Sequence, residues 1–205
     1  MVDYLILNTE TAQSPAFSLI QKLRNETRKA HIELDEGVSL HDVTTSVEGC
    51  WDYMQKFTSA CQEVGDALDW KSLEMLGIPD AAERQQRYKK LEVFSIAGSR
   101  QSAAAHPDPQ RSQAVPIPRM VGGVYVLEGS VHGGNEIFRS LSERFPPAEL
   151  EPFGFLQGFG SANAEIWRRF VLWIDGLPFS ENDAQEACSA ASAAFEVFKR
   201  HLLES

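Results

Sequence analysis

The sequence predicts an all-α protein, a multi-helix bundle built from one chain of 205 residues. Apolar residues recur in several segments at three- and four-residue intervals, which is the spacing of one helix face. Ser, Thr and Asp residues in capping patterns precede several of these segments, and no segment has the alternating pattern of a convincing strand. A chain of this length can bury a core without disulfides or structural metals. We therefore expect one domain over residues 1–205, with an N-terminal extension at residues 1–14.

Capping patterns predict where the first helices begin. Ser14 and Pro15 predict the start of the first helix, because serine caps helices and proline is favoured in their first turn. Thr45 and Glu48 have the spacing of a capping box and predict the start of a second helix. Asp80 begins a weaker third pattern. The apolar faces of the first two helices comprise Ile20, Leu23, Thr27, Ala30, His31 and Leu34, and Val47, Cys50, Trp51, Met54, Phe57, Cys61, Val64 and Leu68.

A proline-rich segment separates the two halves of the chain. Residues 99–118 contain four prolines among Ser, Gln and Ala residues, which predicts a loop. A long helix is expected from Arg119 to about Phe145, and another from Ser161. The last helix is expected to be capped by Ser180 with Asp183, and its apolar stripe comprises Ala184, Ala187, Cys188, Ala191, Phe195, Phe198 and Leu202.

Charge and composition exclude several classes of partner. The net charge of −10 argues against nucleic acid or an anionic membrane as the main partner. The N-terminus lacks a basic segment, and no run of apolar residues is long enough for a membrane span, so we expect a cytoplasmic protein. Cys50, Cys61 and Cys188 form no CxxC pair and lie on expected helix faces. We interpret them as small buried apolar residues in a reducing compartment.

The most informative segment is Tyr125–Gly134, where glycines interrupt a strongly helical pattern. Gly129 and Gly133 are four residues apart, so both lie on one face of a helix. Each glycine costs about 1 kcal/mol relative to alanine in a helix interior, which indicates that the bare face has a use. A flat ligand could approach the backbone there, and the glycines would permit a bend. Close packing of two helices, or a loop, is the alternative.

His31 is the second notable residue. It lies on the apolar face of the first helix, with Asp35 one turn later and with Arg24 and Arg28 before it. A metal-ligating imidazole usually has its second nitrogen held by a carboxylate, a carbonyl or water, and Asp35 is placed to do this. The arginines would supply cations for the acidic edge of a ligand. The alternatives are a hydrogen-bonded core histidine and arginines on a solvated face.

Several segments resemble the haem oxygenases, most closely the bacterial, biliverdin-forming type associated with bacteriophytochromes. The resemblance rests on residues 23–35, 68–70 and 123–134, and on residues 159–160 with Trp167. It runs from about residue 19 to residue 203 and is weak between residues 71 and 118. The resemblance implies an all-α haem oxygenase-like fold with a kinked, glycine-rich distal helix at residues 129–134.

The resemblance also implies roles for individual residues. His31 would be the proximal iron ligand, Arg24 would face a haem propionate, and Phe195 would lie near the haem. Gly129 and Gly133 would line the distal face and permit the close approach of bound oxygen, and these two glycines together with the serine between them, at position 130, would form the catalytic set.

In this family haem is both cofactor and substrate. The resemblance implies an oxidoreductase that cleaves haem at a meso carbon to biliverdin, carbon monoxide and iron. O2 and an external electron donor, such as a ferredoxin or a flavoprotein reductase, would be required. A bacteriophytochrome is a candidate recipient of the biliverdin.

Two residues depart from relatives, and they leave alternatives open. Ser130 stands where some relatives have an aspartate that orders proton-delivering water, so water, the serine hydroxyl or another group must serve here. His132 stands where relatives usually have an apolar residue, and we expect it to point away from haem. If it reached the iron, the protein would be a haem-binding or haem-sensing protein with a blocked site. A haem-free di-iron or thiaminase-like relative is the third reading, although Glu128 and Glu136 are not part of an ExxH pair.

Overall fold

The computed structural model describes residues 18–95 and 115–204 of the chain. The all-α prediction is confirmed: these residues form helices joined by short connections, with no strand among them. Short 3₁₀ segments lie at Lys90–Phe94, Glu151–Phe153 and Gly160–Ala162. The α-helices are α1 (Leu19–Gly37), α2 (Leu40–Thr45), α3 (Val47–Gly65), α4 (Trp70–Met75), α5 (Ala81–Lys89), α6 (Ile117–Ser142), α7 (Pro147–Leu150), α8 (Asn163–Asp175) and α9 (Glu181–Leu203).

Helix α1 begins at Leu19 and is capped by Ser18, whose hydroxyl accepts a hydrogen bond from the Gln21 N–H. The start predicted at residues 14–15 lies outside the described residues. Asp175, at the end of α8, accepts a hydrogen bond of 2.9 Å from the Ile20 N–H. This bond satisfies one of the free N–H groups of the first turn and ties the start of α1 to α8.

The predicted capping box at Thr45 and Glu48 is wrong by one residue. Ser46 caps α3, and its hydroxyl accepts a hydrogen bond of 2.9 Å from the Gly49 N–H. The reason is that the short helix α2 ends at Thr45, whose hydroxyl donates to the carbonyl of His41 instead. A threonine in the last turn of one helix cannot also have the extended backbone that a cap requires.

Helix α6 is longer at its start than expected. It begins at Ile117 rather than Arg119, with Pro118 in its first turn, where proline is tolerated. It ends at Ser142, so Phe145 lies beyond it. Of the expected loop over residues 99–118, residues 99–114 lie outside the described residues. The helix continues without interruption through Gly129 and its neighbouring glycines, and a kink at this point stays a prediction.

The core forms around α9, which packs against α1, α3 and α6. Ser180 and Asp183 form the predicted capping box at its start. The predicted alanine-rich stripe is buried from Ala184 to Phe198, whereas Leu202 at its end is only partly buried. Its small residues let α6 come close at Gly122. A Cβ built on Gly122 would lie 2.1 Å from the Ala187 carbonyl oxygen, so only glycine fits this crossing.

The three cysteines are free and buried, as predicted. Burial raises the pKa of the Cys50 thiol to about 12, which keeps it protonated and unreactive. None of the helices at residues 18–95 and 115–204 combines the length and apolar character that a bilayer crossing requires.

Candidate functional site

One face of α6 is turned toward α1 and carries an open strip. Tyr125, Gly129 and Gly133 follow one another at four-residue intervals along this face. The Thr27 side chain on α1 is near enough to lower the pKa of the Tyr125 phenol, which indicates that this face is turned toward α1. A Cβ built on Gly129 or Gly133 would meet no atom within 4 Å. The strip therefore borders open space on the α1 side of α6, which is called the cleft below, and its glycines are not needed for packing.

Two other glycines of α6 serve a different purpose. A Cβ on Gly134 would lie 3.1 Å from the Leu156 carbonyl oxygen, and the crossing at Gly122 is closer still. Close packing of the chain, the alternative left open by the sequence, thus explains these two glycines. It does not explain Gly129 and Gly133, whose missing side chains leave space free.

His31 lies on α1 beside the cleft. Its Nδ1 is 2.9 Å from a carboxylate oxygen of Asp35, the partner predicted from the sequence. Its ring centroid is 5.8 Å from that of Phe195 on α9, so the structure brings these two predicted site residues together.

The expectation that His31 faces the core is wrong, because 59% of its side chain is exposed. Leu23 and Thr27, in the first half of α1, are buried against neighbouring helices. The second half of the helix runs along the cleft, so the same stripe of residues emerges from the core there.

Arg24 and Tyr125 lie at one edge of the cleft. Arg24 is exposed, as is Arg28 one turn later. Burial raises the pKa of the Tyr125 phenol, and this rise is opposed by the nearby Thr27 side chain and by the positive charge of Arg24. The phenol thus stays protonated close to a guanidinium. Sequence reasoning missed Tyr125, although a tyrosine four residues before Gly129 marks the same face.

His132 is exposed on α6 and borders a small pocket that it shares with Trp167. Its ring packs edge-on against Trp167 of α8, with the centroids 5.1 Å apart and the rings at 89°. Partial burial lowers the pKa of this imidazole, and the charges of His31 and Arg24 lower it further. Both charges therefore lie near His132. Because the pKa of its imidazole is lowered, His132 is mostly neutral at pH 7.

Ser130 lies on the α5 side of α6, away from the open strip. Its hydroxyl donates a hydrogen bond of 2.6 Å to the Leu127 carbonyl and accepts one of 3.3 Å from Arg87 Nη2. The hydroxyl proton is therefore already engaged. A catalytic role for Ser130 stays a prediction.

A buried charged cluster behind the strip escaped sequence reasoning. Glu128 is 1% exposed, and its carboxylate pairs with Arg84 and accepts a hydrogen bond of 2.9 Å from the Tyr88 hydroxyl. Arg87 lies 3.7 Å away through Nη1. The sequence feature that could have revealed this cluster is Glu128, because a carboxylate directly after the apolar run Val124–Leu127 is expected to be buried and to need a buried cation.

This cluster also weighs against a di-iron site. The Glu128 carboxylate is occupied by arginine and tyrosine. Within the described ranges, no group of three or more His, Cys, Asp or Glu side chains is arranged to hold a metal ion.

The chain resembles known haem oxygenases in both sequence and fold. It is 31% identical to haem oxygenase PigA of Pseudomonas aeruginosa over an alignment that covers 45% of this chain and 49% of that protein. The chain thus spans about half the length of the curated relative it matches. The crystal structure of the NO- and CO-bound haem oxygenase from Neisseria meningitidis superposes with a TM-score of 0.61 at 19% identity, covering 91% of each chain. No family model matches.

These findings confirm the predicted resemblance and the haem oxygenase fold. They do not bear on the bacteriophytochrome branch or on the roles of single residues, which stay predictions.

Proposed function

We propose that this protein is a haem oxygenase, an oxidoreductase that binds haem between α1 and α6 and cleaves it at a meso carbon. The observation that carries the proposal is the open strip at Gly129 and Gly133 facing a helix with an exposed histidine bonded to a carboxylate. A flat macrocycle with a central metal needs a ligand on one side and a wall without side chains on the other. The sequence similarity to an oxygenase supports the same activity.

The residues around the cleft fit haem. His31 would ligate the iron through Nε2, because its Nδ1 is bonded to Asp35. Such a carboxylate fixes the orientation of a ligating imidazole and raises its basicity. Phe195 would support the same side of the macrocycle. Any side chain at Gly129 or Gly133 would project into the space that the ligand needs.

The carboxylate edge of haem would lie at Arg24 and Tyr125. A guanidinium and a phenolic O–H can both donate hydrogen bonds to a propionate, and charge-assisted bonds of this kind are the stronger class. Because both groups lie at one edge of the cleft, they would also fix which way the macrocycle is rotated. That rotation decides which meso carbon faces the site of oxidation.

Bound haem supplies the iron that binds O2 and is itself the substrate oxidised, with electrons from an external donor such as a ferredoxin or a flavoprotein reductase. The glycine strip lets this chemistry occur against the backbone of α6. Ser130 would act through water, since its own proton is bonded to Leu127. Biliverdin, carbon monoxide and iron would be the products, and a bacteriophytochrome would be a recipient of the biliverdin.

The alternative of a haem-binding or haem-sensing protein blocked by His132 is less well supported. Both relatives are named as oxygenases. The His132 ring also has a partner other than haem, because it packs edge-on against Trp167.

The proposal is tested by adding haem to the purified protein and then supplying a reductant. We expect a ferric spectrum typical of histidine ligation, and biliverdin on addition of ascorbate or a ferredoxin system. His31→Ala should lose that spectrum, whereas His41→Ala, which changes an exposed histidine on α2, should keep it. An identical spectrum for the wild-type protein and His31→Ala would refute the assignment of the ligand. Stable haem binding without turnover would refute the oxygenase activity.

A further inference from the structure

Arg87 has more buried donors than the protein satisfies. It is 2% exposed, and its Nη2 donates to Ser130. Its Nε and Nη1 are buried and make no hydrogen bond. The side chain lies with its guanidinium carbon 4.2 Å from the centroid of the Phe155 ring, which offers an electron-rich face but no lone pair. Two donors of a buried cation therefore lack an acceptor, which is costly unless something else fills the role.

The buried charges around Arg87 do not cancel. Arg84 and Arg87 are both buried, and Glu128 is the one buried carboxylate between them among the described residues. The Asp80 carboxylate lies 4.0 Å from Arg84, but it also accepts hydrogen bonds from Nε and Nη2 of Arg169. Arg84 and Arg87 thus share the fully buried carboxylate of Glu128, which lies 3.7 Å from Arg87 Nη1, whereas a buried charge normally has a counter-charge of its own.

A small cavity lies beside the Arg87 side chain. Arg87, Ser130, Phe155 and Tyr53 are among its lining residues, and none of the described residues that line it is a carboxylate. It offers room for about one water-sized occupant. Burial raises the pKa of the Tyr53 phenol far above its ordinary value, so this side chain keeps its proton. Ser130 adds no free proton, because its hydroxyl donates to Leu127.

We propose that this cavity binds a small monoatomic anion, with chloride the abundant cellular candidate, through Nε and Nη1 of Arg87. A water molecule could accept the same hydrogen bonds, but it would leave Arg84 and Arg87 sharing one fully buried carboxylate. An anion satisfies the donors and adds a second negative charge, and Glu128 is not among the described residues that line the cavity. The cavity is lined by Ser130 and Gly134, which directly follow the two glycines of the strip. The proposed anion does not depend on haem being bound.

The first test measures thermal unfolding of the haem-free protein in sodium chloride and in sodium gluconate at equal ionic strength. Gluconate is too large for the cavity. We expect a saturable rise of the midpoint in chloride alone, by roughly 5–10 °C at a hundredfold excess over the dissociation constant. Arg87→Met should respond equally to both salts. Arg28→Met, which removes an exposed arginine, should keep the difference.

A second test uses crystals of the wild-type protein grown or soaked in bromide. An anomalous peak within hydrogen-bonding distance of Arg87 Nε is expected. Identical chloride and gluconate curves, or a water molecule without anomalous signal at this position, would refute the proposal. A chloride effect that persists in Arg87→Met would assign the binding to another place. Because the bromide experiment needs only the wild-type protein, it decides the question even if the variant does not fold.

Discussion

Alanine substitutions in α6 should separate glycines that leave space for a ligand from glycines that allow packing. A Cβ on Gly129 meets nothing within 4 Å, and its φ is not in the positive range, so alanine fits the backbone without strain. Alanine is favoured over glycine inside a helix by about 1 kcal/mol. Gly129→Ala should therefore stabilise the haem-free protein by about 0.5–1 kcal/mol. In a protein of this size, the thermal midpoint would rise by roughly 1–4 °C.

Gly122→Ala is the matched opposite. Its Cβ would lie 2.1 Å from the Ala187 carbonyl oxygen and 2.9 Å from the Ala191 nitrogen. Both are backbone atoms, so α6 and α9 would have to move apart. Overpacking of this kind typically costs 1–3 kcal/mol, which outweighs the gain in helix propensity. The haem-free protein should lose about 1–2 kcal/mol or more.

The assay is urea unfolding of the haem-free variants, followed by haem titration and biliverdin yield. Gly129→Ala should be more stable than the wild-type protein yet bind haem or turn it over less well, because the new methyl group projects into the ligand space. If Gly129→Ala destabilises the haem-free protein as much as Gly122→Ala does, the strip is packed and the reasoning fails. Unchanged biliverdin yield from the bulkier Gly133→Leu would refute the distal role of the strip.

Three further outcomes are expected. Arg24→Ala should weaken haem binding by about 1.5–3 kcal/mol or loosen product regiochemistry, and an equal loss in Arg28→Ala would show general charge attraction instead. His132→Leu should leave the ferric haem spectrum unchanged. If the wild-type protein is instead low-spin and six-coordinate, and the variant is water-ligated and turns haem over faster, the His132 imidazole binds iron. Glu128→Gln should lower the free energy of unfolding by about 3–5 kcal/mol, because it removes the carboxylate from a buried pair; a loss under about 1 kcal/mol in urea unfolding would show that Arg84 does not depend on it.

Periodicity was sufficient to predict the main helices because their apolar faces are long. It failed where two elements compete for one residue. Thr45 has the right spacing to Glu48 for a capping box. It is, however, the last residue of the short helix α2, and Ser46 caps α3 instead. Helix α2 is only six residues long, which is too short for a helical period to be recognised in the sequence.

The site was predictable in its contents but not in its burial. The spacing of His31 and Asp35 predicted their bond, since residues four apart meet on one helix face. Whether that face is covered depends on how far α1 and α6 lie apart, which periodicity does not encode. Arg84 and Arg87 were missed for the converse reason, because arginine is usually exposed and only the buried Glu128 draws both inside.

The two packed glycines of α6 fix the position of the helix on either side of the bare strip. Gly122 packs against α9, Gly134 packs against Leu156, and the bare strip lies between them. Because α6 is held at both positions, we expect it to move little when a ligand binds beside the strip. Helix α1, on the other side, is held as well, because it packs against α9 and its start is bonded to Asp175 of α8. We therefore expect haem to bind between two helices whose separation changes little.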